Sequence, residues 1–572
     1  MGEPVTVTPA DRLLGGALRH SAPRATALLL LTVASAGLGL ALPGALGHTL
    51  DLLLAHRPAA PWLVLCAVLT GLIVLLDALD GLLTGTTDAR GTAWVRRRLT
   101  HHLLAAGPRA TERYGSGDLV TRVVGNAAHA GTAPTALAAS LAAVITPVGA
   151  LVALAYVDLW TAAVFLLGMP LLALLLRAFA RATGDCVVRY QEHQGDMAKR
   201  LVEAVGGART IAAAGTQRRE AARILAPLPD LAQHGHRMWE VLGRSTAQAA
   251  MLVPLLQIAV LCVAGVRLAQ GEVTIGGLLA ASRYAALATG IGQIVGQLNT
   301  LVHARAAARR IAEALDVPAM HYGRRPLGAG DGTLKLHGVT VTRGDRTVLR
   351  GLDLTVPGGT SVAVVGRSGT GKSVLAAVAG RLADPDSGSV VLDDVPLPDL
   401  THDALRRAVG YAFERPAVLG TTLRDTLALG SYAPGQTELE SAAEAACAAP
   451  FIHRLPEGYA TRCADAPLSG GEAQRLGLAR AFAHAERLLI LDDATSSLDT
   501  VTELHVTRAL LRDVKAATRI VVAHRAATAA RADLVAWLDD GRIRALAPHT
   551  ELWQLPDYRA LFATAPKEAA HA

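Results

Sequence analysis

Six stretches of this chain are apolar over lengths that leave no polar face for water. They lie near Ala25–Leu46, Pro61–Leu83, Leu137–Tyr156, Trp160–Leu176, Ala247–Leu268 and Gly277–Val302. A helix needs about 20 such residues to cross a bilayer, so the pattern predicts six membrane spans. The first is too long for the apolar part of a cleavable signal peptide, and more spans follow it. Connections 84–136 and 177–246 are long and the others short. Segments of that length are rarely structureless, so both are expected to be helices that continue out of the membrane. The first carries Arg96, Arg97 and Arg98; the second carries Arg200, Arg209, Arg218 and Arg219. Residues 269–276 have neither Lys nor Arg. The positive-inside rule then places both long connections and both termini in the cytoplasm.

From Leu334 the pattern changes. Short apolar runs of strand length alternate with helix-compatible segments, and a linker containing Pro and Gly, residues 317–332, precedes them. Inside this half, the apolar run Ser361–Val365 leads into Gly366-Arg367-Ser368-Gly369-Thr370-Gly371-Lys372-Ser373, and a helical pattern follows. That is the strand, glycine-rich loop and helix of a phosphate-binding loop. Its backbone N–H groups and the helix dipole suit phosphate oxygens. Lys372 is placed to reach the β- and γ-phosphates of ATP, and Ser373 to hold Mg²⁺.

Composition adds little but excludes something. The chain has 572 residues, 51% hydrophobic, with mean hydropathy +0.34. The net charge of +7 could suggest nucleic acid. The arginines, however, cluster between apolar segments, so no nucleic-acid partner is expected. Five scattered cysteines form no C-x-x-C pair, which suggests neither a zinc site nor a disulfide framework.

Further motifs follow in order. Leu468-Ser469-Gly470-Gly471-Glu472 opens a helical segment. The apolar run Arg487–Leu491 ends in Asp492, and Ser496-Ser497-Leu498-Asp499 comes just after. A second apolar run, Ile520–Ala523, ends in His524. Together with the spans, these motifs resemble the half-transporters of the ABC exporter family. Gly117–Arg122 and Ala307–Ile311 are smaller echoes of the same family. The resemblance implies an all-α six-helix transmembrane domain (1–316), a linker (317–332), an α/β P-loop NTPase domain (333–564) and a tail (565–572). It also implies ATP hydrolysis coupled to transport. Asp492 joins Ser373 at Mg²⁺, while His524 contacts the γ-phosphate. Leu468–Glu472 closes over nucleotide held by a second half-transporter, and Asp499 links the two sites.

The chain departs from the family where hydrolysis is decided. The residue after Asp492 is Asp493, where the family has Glu. Its carboxylate is held back by one C–C bond, about 1.5 Å. A misplacement near 1 Å can cost roughly a hundredfold in rate. Glu414 replaces the usual Gln of the loop that contacts Mg²⁺. Arg343 stands where an aromatic residue usually stacks on adenine, and a guanidinium can also stack. Leu468–Gly471 is intact, with Glu472 in place of Gln. This combination resembles the subunit of a heterodimeric exporter that brings a slow site of its own and a good signature for its partner. A homodimer remains the alternative.

Span six carries Thr289, Gln293 and Gln297 at helical spacing along one side, with Arg283 nearer its outer end. Intramembrane polar residues line pathways or bond between helices, and both readings stay open. The substrate is not legible: a small molecule, a lipid or a peptide would all fit. An importer on the exporter fold, or a nucleotide-gated regulatory subunit, would carry the same motifs. The Ala- and Arg-rich composition suggests a GC-rich bacterial genome. The expected location is therefore the inner (plasma) membrane, multi-pass, with the nucleotide-binding domain in the cytoplasm.

Overall fold

The computed structural model describes residues 8–289, 291–512, 514 and 518–562. The chain divides into two compact units. One holds residues up to Leu103 and Tyr114–Asp316; the other holds Leu104–Arg113 and the chain from Val317 onward.

The first unit is helical. Its main helices are α1 (Pro9–Leu54), α2 (Ala60–Ala106), α3 (Pro108–Thr121, kinked at Gly115), α4 (Ala133–Val157), α5 (Leu159–Gly206), α6 (Leu228–Ala269), α7 (Ile275–Ala288) and α8 (Ile291–Leu315), except that Leu104–Arg113 of α2 and α3 fall in the other unit. Among the described residues, three helical segments are long and apolar enough to cross a membrane: Pro9–Leu54, Ala60–Ala106 and Pro108–Val157. Shorter apolar helical segments are Leu159–Pro170, Val253–Ala269 and Ile275–Ala288. Helices α1, α2, α5 and α6 run well past their apolar stretches, so the long connections are largely helix.

Polar side chains fix helix ends where apolar packing is unspecific. Thr8 and Asp11 form a capping box that starts α1. Asp51 accepts from the Gly276 amide and the Thr274 hydroxyl, each at 2.7 Å, and so ties the end of α1 to the start of α7. Gly47 and Gly276 cross there so closely that a Cβ on either would strike the other's carbonyl. Tyr284 donates to the Leu40 carbonyl at 2.9 Å, one stage deeper along the same pair. Nearer the other end, buried Arg122 meets Asp118 at 2.8 Å, Glu313 at 3.2 Å and the Arg310 carbonyl. This joins the two smaller sequence echoes, Gly117–Arg122 and the segment after span six.

Span six is not one helix. α7 ends at Ala288, Thr289 is its cap, and α8 begins at Ile291; Gly290 lies outside the described residues. Thr289 turns its hydroxyl back to the Ala286 carbonyl at 2.7 Å. That local bond competes with the helix ladder, and glycine follows it.

The second unit contains two sheets. Strands β1 (Leu334–Arg343), β2 (Arg346–Val356), β4 (Ser387–Leu392) and β5 (Val395–Pro396) form a four-stranded antiparallel sheet in the order β2-β1-β4-β5. The other has six strands, in the order β10-β9-β3-β8-β7-β6. Its members are β3 (Ser361–Val365), β6 (Val409–Phe413), β7 (Leu488–Asp492), β8 (Thr518–Val522), β9 (Leu534–Asp539) and β10 (Arg542–Ala547). All are parallel to their neighbours except β10. β3 is buried along its whole length, as expected of a parallel strand covered on both faces. A second apolar cluster, including Leu439, Phe451, Leu476 and Leu478, packs the helical part of this unit.

Leu104–Arg113, from the first long connection, belongs to this unit. Met320 donates its amide to the Ala105 carbonyl at 3.2 Å, and Arg109 donates to the Asp384 carbonyl at 3.2 Å.

Candidate functional site

In open parallel sheets, ligands collect beyond the carboxyl ends of the strands. The chemistry-bearing residues of this chain gather there. The loop Gly366–Gly371 leaves β3 and enters helix α9 (Lys372–Ala379). Gly371 has φ +102°, and a Cβ there would lie 2.8 Å from Val348. Only glycine fits that turn. Lys372 folds back over the loop and donates to the carbonyls of Gly366 at 2.9 Å and Arg367 at 3.1 Å. Thr370 braces the loop through a 2.8 Å bond to the same Arg367 carbonyl, and Ser368 and Gly369 lie at its tip. Burial pushes the Lys372 ammonium below its ordinary range, against the opposing pull of Asp493 and Asp492.

Asp492 ends β7. Ser373 donates to its Oδ1 at 2.9 Å, and Tyr411 on β6 donates to its Oδ2 at 3.3 Å. Burial raises the Asp492 carboxyl, and those two hydrogen bonds oppose the rise. Tyr411 is itself pushed up by burial and by Asp492. The next residue, Asp493, has φ +56°, and its Oδ2 lies 2.8 Å from His524 Nε2. Burial raises the Asp493 carboxyl, with His524 opposing. His524 does not end a strand: β8 stops at Val522, and the histidine lies in the loop beyond it. Ala523 donates its amide to the Val364 carbonyl of β3 at 3.0 Å, the last bond of the chain to β3 before His524.

Ser469 caps α10 (Gly470–His484), with Leu468 just before it. Glu472 returns the bond, accepting from the Ser469 amide at 2.9 Å and hydroxyl at 2.8 Å. Ser469 and Glu472 thus form a capping box, a role that Gln also fills. The Ser469 amide holds the Glu472 carboxyl below its usual range. Asp499 accepts from the amides of Val501 at 3.1 Å and Thr502 at 3.0 Å, which starts helix α11 (Thr500–Arg512).

Arg343, Glu414 and Gln474 make further contacts. Arg343 pairs with Glu112 at 3.3 Å. The Glu414 side chain is exposed and lies 4.0 Å from Arg415. Buried Gln474 was not singled out from the sequence. Its amide donates to the Glu414 carbonyl at 2.8 Å and Ser496 at 3.0 Å, and accepts from the Ser497 amide at 2.9 Å. It therefore ties α10 to both neighbouring loops. Its place just after Leu468–Glu472 was the available signal.

In the first unit, Arg283 is exposed, Gln297 is half-buried, and the side chain of Gln293 lies outside the described residues. Asp77 and Asp80 were also passed over, although they fall inside span two. They accept from Ser35 at 2.7 Å and Thr32 at 3.0 Å. A charge inside an apolar run was the signal.

A phosphate-binding loop and a paired serine and aspartate, in a chain that also carries long apolar helices, define a nucleotide-dependent membrane protein. Family profiles make this specific. The ABC transporter transmembrane region matches residues 26–291, and the ABC transporter domain matches residues 349–496. The ABC transporter ATP-binding protein RamA of Streptomyces coelicolor is 54% identical over 536 residues, 94% of this chain and 84% of that protein. An ATP-dependent lipid A-core flippase of Chromohalobacter salexigens is 30% identical over 465 residues, 80% of each. A bacterial Atm1-family ABC exporter, solved with ATP bound, shares the fold with TM-score 0.80 at 24% identity, over 96% of this chain and 99% of that one. The chain belongs to the ABC transporter family. It joins a helical transmembrane domain to an α/β ATPase domain in the exporter fold.

Proposed function

We propose that this chain is the ATP-binding and permease subunit of an exporter in the cytoplasmic membrane, paired with a different half-transporter, and that the ATP site on its own phosphate loop turns over slowly. The observation that carries this reading is Asp493. The carboxylate at the hydrolytic position is one carbon short, stands on a left-handed backbone, and is engaged by His524 at 2.8 Å.

ATP fits the loop. Lys372 already holds anion-like carbonyl oxygens that phosphate oxygens can replace. Mg²⁺ fits beside it, because Ser373 and Asp492 bring two hard oxygens within 2.9 Å. Mg²⁺ takes few protein ligands and fills its shell with water and phosphate oxygens. When bound, it would neutralise charge developing on the phosphates. Ser373 and Asp492 would hold it, with Glu414 at the rim. Lys372 orients the terminal phosphates, and His524 contacts the outermost one. Ser469, Gly470 and Gly471 present helix N–H groups to nucleotide on the partner. Asp493 positions water poorly, so the productive site is the one built from this chain's signature and the partner's loop.

An amphipathic substrate fits best. Arg283, Asp77 and Asp80 place charge within apolar stretches, and relatives include a protein named as a lipid A-core flippase.

The test is ATPase activity of the purified chain in lipid, alone and with its candidate partner, for wild type and Asp493→Glu. The expected result is negligible activity alone, restored by the partner. Brisk activity alone that Lys372→Ala abolishes would mean a homodimer in which Asp493 is a competent base.

A further inference from the structure

We propose that Glu503, which touches neither nucleotide nor metal in any role given above, is the positioning residue for His524. Glu503 lies in the first turn of α11, and its side chain is only 7% exposed. A carboxylate is rarely buried this far unless it is paired. Both its oxygens are used. Oε2 accepts from Arg525 at 2.6 Å, and Oε1 accepts from the Thr528 hydroxyl at 2.8 Å. Arg525 is the residue after His524. Thr528 sits in the short helix α12 (Ala526–Ala529) that follows at once.

The two sides of His524 are therefore held differently. On one side, Ala523 bonds to Val364 of β3, the strand that feeds the phosphate loop. On the other, the chain is clamped to α11 through a single carboxylate. α11 is itself started by Asp499. Without Glu503 the strand-side anchor remains and the loop-side anchor is lost. His524 then samples positions away from Asp493, and a shift near 1 Å costs up to roughly a hundredfold in rate. The pairing is also asymmetric. Arg525 is half-exposed and can be solvated when Glu503 is gone. The fold should thus tolerate loss of Glu503 better than loss of Arg525, which would strand a buried charge.

The inference rests on His524 contacting the terminal phosphate, so the experiment separates the two ideas. Glu503→Ala and Glu503→Gln are made in the full chain, in wild-type and His524→Ala backgrounds, in lipid with a partner whose own hydrolytic glutamate is replaced by Gln, so that the residual turnover reports the site on this chain's own phosphate loop. Two quantities are read: kcat and KM for ATP, and the preference for a non-hydrolysable ATP analogue over ADP. The second needs no turnover, so it is measurable in every background.

For Glu503→Ala in the wild-type background, we expect kcat to fall about tenfold. KM should stay within twofold, and the preference for the ATP analogue should shrink. Glu503→Gln, which can still accept from Arg525, should recover part of the loss. In His524→Ala, Glu503→Ala should add little to either quantity. Equal losses in both backgrounds, or no loss in either, overturn the role of Glu503. If His524→Ala itself changes neither quantity, the phosphate role of His524 fails instead, and the inference with it.

Discussion

Asp493 Oδ2 lies 2.8 Å from His524 Nε2, which joins the loops at the ends of the adjacent parallel strands β7 and β8. This contact engages one oxygen of the short carboxylate. An oxygen held by the imidazole is drawn toward β8, and the backbone at φ +56° sets that direction.

Burial of the same carboxylate, which His524 only partly offsets, predicts a trade between activity and stability. Burial raises the Asp493 carboxyl above its ordinary value. The folded chain then holds that proton more tightly than the unfolded chain, and stability falls as pH rises through the window between the two values. At neutral pH the penalty is fully present. Asp493→Asn should remove it, raising the midpoint of thermal unfolding at pH 7 by a degree or more, with a smaller gain at pH 4. ATP turnover at this chain's own site should drop further. An unchanged or lower midpoint at pH 7 would contradict the burial argument.

Tyr411→Phe tests the support of Asp492. The tyrosine hydroxyl is one of two donors that keep this buried carboxyl ionised. Losing it should cost about 1 kcal/mol in the ionised form. The Mg²⁺ concentration that half-saturates Mg²⁺-dependent ATP binding at this chain's own loop should rise about fivefold, and the acid limb of that binding should move to higher pH. ATP binding measured without Mg²⁺ should hardly change.

Arg343 pairs with Glu112 across side chains that are 37% and 47% exposed. Such a pair contributes at most about 1 kcal/mol. Arg343→Ala should therefore leave both stability and nucleotide affinity close to wild type. Arg343→Tyr should tighten ATP binding several-fold, because stacking of a base on an aromatic ring contributes about 1–3 kcal/mol. Titration with a fluorescent ATP analogue distinguishes the two. A large loss of affinity in Arg343→Ala would show that the guanidinium itself holds the base.

Gly276→Leu should separate the two units. A side chain there meets the Gly47 carbonyl and the Asp51 carboxylate. Overpacking of this kind costs about 1–3 kcal/mol. Thermal unfolding in lipid should come earlier and transport should fall, whereas nucleotide binding by the ATPase unit should persist. Asp51→Asn, which removes charge but keeps shape, should do less.

Much of the site was legible because it is local. Gly366–Ser373, Leu468–Glu472 and Asp492–Asp493 are runs in which chemistry and turn geometry sit on neighbouring residues. One strand was read to the residue: Ser361–Val365 is β3. Long apolar runs were legible because a bilayer demands them, and three of the described helical segments are long and apolar enough to cross one. What failed also failed locally. Thr289 caps a helix where a single long span was expected, since hydropathy does not register a hydroxyl bonding back to its own helix. That Glu472 bonds back to Ser469 was not read from the sequence. Asp77 and Asp80 were lost in the average of an apolar window.

The sequence by itself determined that this chain binds a nucleotide phosphate, that it crosses a membrane, and in which order the motifs come. Each of these depends on residues within a few positions of one another. Only the tertiary structure decided which distant residues meet. Gln474 reaches Glu414 and Ser496, Arg122 reaches Glu313, and Glu503 grips Arg525 beside His524. These pairings join helices to loops far apart in the chain. Parallel strand order and helix packing set their distances, and no local pattern encodes them.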